Sequence, residues 1–66
     1  MNKGKIYREG PTSIILARAP INQAWMVWRE DNGHQAQVRI FNEYAEAADN
    51  YVNRVAFLRE VINHEI

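Results

Sequence analysis

From Glu43 to His64 the chain runs for about six helical turns without a proline or a glycine. Apolar residues recur through this stretch at Tyr44, Ala48, Tyr51, Val55, Leu58 and Ile62, in steps of four and three. That spacing draws one stripe down an α-helix. Ala47, Val52 and Val61 widen the stripe to the breadth expected of a helix lying on a core. Asn42 is the expected N-cap, and Glu43 and Glu46 follow where the helix dipole favours negative charge. A helix with one apolar stripe needs an opposing surface, and the residues before it need such a helix as a lid.

Those residues read as short strands. Lys5 to Glu9 alternates weakly, and Gly10, Pro11 and Thr12 carry turn chemistry. Ser13 to Arg18 is a β-branched, mostly apolar run that Pro20 ends. Ala24 to Glu30 and His34 to Phe41 flank Asp31, Asn32 and Gly33, and an Asn-Gly pair between two such runs marks a β-hairpin. In the second arm Ala36, Val38 and Ile40 alternate with Gln35, Gln37 and Arg39, so the first set is assigned to the core. A two-residue turn sets Val27 opposite Val38 and Trp25 opposite Ile40, leaving Met26 and Trp28 on the far face. A three-residue turn with a bulge at Gly33 reverses this. The first register is preferred.

The expected architecture is one α+β domain over residues 1–66: an antiparallel meander of three to four strands, then one long C-terminal helix packed on one face. Val38, Ile40, Val55, Leu58 and Ile62 are its expected core. A chain of 66 residues buries only about 60% of its unfolded surface, so the margin of stability is narrow. With no cysteine there is neither a disulfide nor a thiolate metal site, which fits the cytoplasm. No apolar run approaches the length of a membrane span, and no signal peptide is recognised, so no membrane association is expected.

Catalysis is not expected. Thr12, Ser13 and the tyrosines lack an elbow-like glycine pattern, and no phosphate loop or dinucleotide fingerprint occurs. Glu60 and His64 stand four apart, but two ligands are too few for a metal. No cofactor and no small-molecule substrate are therefore assigned. Residues 1–41 carry six basic against three acidic side chains, and residues 42–66 carry two against five. This reads as a basic sheet under an acidic helix, with edge charges suppressing aggregation.

Binding is the remaining class. One helix covers only one face of a sheet, yet Ser13 to Arg18 is apolar on both sides and one tryptophan is left over on the hairpin. An exposed apolar face on a small protein usually meets something. Met26, Trp28 and Arg39 form one candidate partner-binding patch. Arg54, Phe57 and Val61 form another, because Phe57 points away from the helix stripe. Single-stranded nucleic acid stacked on the exposed tryptophan of a sheet face carrying Arg39 and Arg18 is the competing expectation, and self-association as a homodimer a third.

The hairpin running into Phe41-Asn-Glu-Tyr-Ala-Glu-Ala-Ala48 and a long helix resembles many short strand-strand-helix proteins of bacteria and their viruses. Its size, its lack of cysteine and its lack of catalytic groups are similar to those of small phage-encoded inhibitors of host or defence complexes, anti-CRISPR proteins among them. The resemblance implies a non-catalytic protein that binds and blocks a protein partner. It is one of format, so it assigns no individual residue.

Overall fold

A computed structural model describes residues 3–20 and 22–64, with helix side chains described as far as Val61. Four strands, β1 (Lys5–Glu9), β2 (Thr12–Arg18), β3 (Trp25–Asp31) and β4 (His34–Phe41), precede one helix, α1 (Tyr44–His64). The strands form one antiparallel sheet in the order β1-β2-β3-β4. The helix lies across one face, so the fold is α+β.

Local chemistry sets the turns. Gly10 and Gly33 adopt positive φ, of 60° and 84°, and Asn32 joins Gly33 in the left-handed region at 53°. Two consecutive positive φ values suit the two-residue hairpin turn whose twist matches its strands. Asp31 pairs with His34 across it, as the preferred register requires. The Asn32 amide donates to the Pro11 carbonyl at 2.9 Å, tying the first hairpin's turn to the last one's. Beside them the Thr12 hydroxyl donates to Asp31 at 2.8 Å, and the Arg29 Nε donates to the other oxygen of that carboxylate at 2.8 Å. These two bonds hold the Asp31 carboxyl below the usual carboxylate range, with Arg29 the larger cause.

The helix begins at Tyr44, one residue later than expected, so Glu43 rather than Asn42 stands at its boundary. The Glu43 carbonyl accepts from the Ala47 amide at 3.2 Å. Ala47, Tyr51 and Leu58 are buried, and Tyr44 and Val55 pack beside them. The expected stripe is thus present but narrower. Val52 lies about 100° on from Tyr51 and is exposed. The expected core position of Ile62 lies outside the described side chains.

Opposite the helix, Ile14 and Leu16 from β2 and Trp25 and Val27 from β3 close the core. Leu16 and Val27 are essentially inaccessible, at 1% and 0% exposure. Trp25 meets Tyr44 edge to face, with ring centroids 4.8 Å apart, which seals the end where the chain enters the helix.

The expected core places of Val38 and Ile40 are overturned: they are 42% and 61% exposed. The cause is a bulge in β4. Arg29 pairs with Ala36 but Val27 pairs with Arg39, so Trp28 faces two residues, Gln37 and Val38. Gln37 takes a left-handed φ of 55° there. One extra residue moves every later side chain to the opposite face. Above the bulge Met26 therefore pairs with Ile40 and Trp25 with Phe41. Phe41, not Ile40, packs against the core.

Candidate functional site

Directly paired residues of antiparallel strands share a face. On the face away from the helix the pairings assemble two apolar rows. Ile6 pairs with Ile15 and Ile15 with Trp28, so β1, β2 and β3 each add one residue to the first. Ala17 pairs with Met26 and Met26 with Ile40, so β2, β3 and β4 build the second. Ile6 and Ile40 are exposed, and Ile15, Ala17, Met26 and Trp28 are half-buried. No element among the described residues covers these rows.

A polar row runs alongside, where Arg8 pairs with Ser13, Ser13 with Glu30 and Glu30 with Gln35. The Trp28 indole N–H donates to Glu30 at 2.9 Å, so its polar atom is satisfied and its ring belongs to the apolar surface. An apolar centre beside a polar margin is the usual anatomy of a protein interface.

Met26 and Trp28 belong to this surface, as expected from the sequence. Arg39 does not. Its pairing with Val27 puts it on the helix side, where its guanidinium lies 5.5 Å from the centre of the Phe41 ring. The same bulge that expels Ile40 from the core thus separates Arg39 from Trp28, and the expected patch of Met26, Trp28 and Arg39 is divided between two faces. The sequence reading missed Ile6 and Ile15 as partners of Trp28. Its signal for them was the doubly apolar β2.

The second expected patch is also rearranged. Arg54 and Phe57 line a cleft of roughly 210 Å³ between α1 and the sheet, with Arg29, Gln37, Asn53 and Leu58. Phe57 is 65% exposed, on the solvent side as expected. Val61 is at the margin of exposure, at 36%, and does not line the cleft.

Arg54 is the unusual member. Its Nη1 is closed to solvent and has no hydrogen-bond partner. Burial first, and the like charge of Arg39 second, push the guanidinium below its ordinary pKa. Arg29 differs, because Asp31 neutralises it and raises its pKa. One turn before Arg54, the Asn50 Oδ1 is likewise buried without a donor. A buried polar atom left unsatisfied costs about 1–3 kcal/mol, so this flank of the helix is less favourably packed than the core beside it.

Among the described residues no group of three or more His, Cys, Asp or Glu side chains could hold a metal ion. The His64 side chain considered with Glu60 lies outside those described. Among the described residues no helix is long and apolar enough to cross a membrane. No protein-family model, curated protein or solved structure matches this chain.

Proposed function

We propose that this chain is a non-catalytic protein-binding module that engages its partner through the uncovered face of the sheet. The observation carrying this reading is the pair of cross-strand apolar rows, Ile6–Ile15–Trp28 and Ala17–Met26–Ile40, with their polar margin. Charge favours protein over nucleic acid as the occupant. The chain has no net charge, and the carboxylate of Glu30 is bonded to the indole on which a base would have to stack. Arg39, which would have accompanied that base, faces the helix. The format resemblance to phage-type inhibitors extends the proposal: the chain occupies a surface of a host or defence complex in the cytoplasm and blocks it.

The test compares what co-purifies with the tagged wild-type chain, with Ile40→Glu and with Val52→Glu, the last being an exposed helix control. A protein retained by wild type and Val52→Glu but lost with Ile40→Glu supports the reading. A captured set unchanged by Ile40→Glu overturns it. Light scattering run in parallel identifies a second copy as the occupant, if wild type is dimeric and Ile40→Glu monomeric. Tryptophan quenching by short oligonucleotides at low salt, lost with Trp28→Ala, would instead establish the nucleic-acid reading. Trp28→Ala should weaken protein binding about thirtyfold, as truncated aromatic anchors do.

A further inference from the structure

We propose that the cleft between α1 and the bulged part of β4 is a carboxylate-binding site, in which the Arg54 guanidinium receives an acidic side chain or chain terminus of a peptide. This inference stands apart from the sheet-face reading and uses the opposite side of the sheet.

Four observations converge on it. The first is Arg54 itself, which lines the cleft and whose Nη1 has no hydrogen-bond partner. A planar guanidinium matches a carboxylate fork to fork, so the missing partner has a defined chemistry. The second is the electrostatic setting. Arg39 adds like charge to Arg54, whereas Arg29, the other guanidinium lining the cleft, is already paired with Asp31.

The third is the bulge. Gln37 lines the cleft while holding a left-handed backbone that a non-glycine residue rarely adopts, and bulges commonly re-aim a side chain beside a site. The amide groups of Gln37 and Asn53 supply further donors. The fourth is the apolar part of the lining, where Ile14, Leu58 and the exposed ring of Phe57 suit an apolar stem.

Size narrows the ligand. Roughly 210 Å³ is smaller than the clefts that hold cofactors and drug-sized molecules, but it admits a single side chain. A single unmatched guanidinium between apolar walls suits a monoanion on a carbon stem better than a phosphate chain. The acidic helix, with Glu46, Asp49 and Glu60, also disfavours a polyanion.

The test uses sodium benzoate, its neutral isostere benzamide, and inorganic phosphate, all at constant ionic strength with the full chain. Benzoate should shift the Arg54 side-chain and Phe57 amide NMR signals saturably, with a Kd of about 1 mM, and raise the melting temperature. Benzamide should do neither. Arg54→Gln should abolish the response, and Phe57→Ala should weaken it about tenfold. Asn50→Asp places a carboxylate one turn from Arg54 and should abolish benzoate binding while raising the melting temperature.

Benzoate without effect on the wild type overturns the proposal. Equal responses to benzamide reduce the cleft to an apolar hollow, and a stronger response to phosphate transfers it to phosphate ligands. Each of those results removes the carboxylate assignment. If Arg54→Gln unfolds the chain, the Asn50→Asp arm still decides.

Discussion

The two faces of the sheet are built from the same four strands by the same alternation, yet they have opposite fates. The helix-side face closes over Ile14, Leu16, Trp25 and Val27 under Ala47, Tyr51 and Leu58. The other face carries comparable side chains, among them Ile6, Ile15, Trp28 and Ile40, and leaves them in contact with solvent. Residue type does not separate the two. What separates them is that a chain with one helix covers one face. Apolar character within a strand therefore reports the demand for burial, and the number of elements decides how much of that demand is met.

The sharpest way to break this comparison is to truncate matched residues on each face. Leu16→Ala, on the covered side, should lose about 2–5 kcal/mol and lower the melting temperature by more than about 10 °C. Leu58→Ala should fall in the same range, because it removes part of the helix's side of the same core cluster. If Ile40→Ala, on the uncovered side, cost as much as Leu16→Ala in a monomeric chain, the distinction between the faces would fail.

The bulge is the hinge of the comparison, since it decides which β4 residues reach which face. Gln37→Gly fits the left-handed φ without a side-chain penalty and should stabilise by about 0.5–1 kcal/mol. Chemical denaturation reads this directly, and a loss of stability would mean that the Gln37 side chain contributes more than its backbone strain removes.

Acid sharpens the comparison at the turn end of the covered face. The Asp31 carboxyl is depressed by Arg29 and Thr12, so its contribution is present above the unfolded carboxylate pKa and is lost as pH falls through the folded one. Wild type should therefore lose stability below about pH 4 more steeply than Asp31→Asn. Identical acid limbs would show that the two bonds to Asp31 do not persist in solution. The smallest effect is expected from Ile40→Ala, about 0.5 kcal/mol or less, because a side chain 61% exposed has little burial to lose.

Much of the fold was legible. The Asn32-Gly33 pair gave the hairpin and its two-residue turn, and the apolar spacing marked the helix to within one residue at its start. Pairing across that turn with Val38 and Ile40, read as core residues, puts Trp25 and Val27 in the core and Met26 and Trp28 on the other face. The four lie so, although Val38 and Ile40 are exposed and the pairs are Val27 with Arg39 and Trp25 with Phe41. The error began four residues past the turn, at Gln37. Nothing in Gln35-Ala36-Gln37-Val38 distinguishes a regular strand from a bulged one, because no glycine marks the left-handed residue. Val38, Ile40 and Arg39 were consequently assigned to the wrong surfaces, and the patch joining Arg39 to Trp28 went with them.

The Arg54 cleft was less legible still. Arg54 and Phe57 were singled out as neighbours on the helix, but Gln37 and Arg29 reach them only because the sheet folds beneath. By itself, then, the sequence determined the order and type of the elements, the turns and the need for a second apolar surface, since periodicity and turn chemistry act between near neighbours along the chain. Tertiary structure alone decided the bulge, the facing of β4 and the isolation of the Arg54 guanidinium. Those depend on which side chains meet across the sheet, where one inserted residue reverses a face and no local signal announces it.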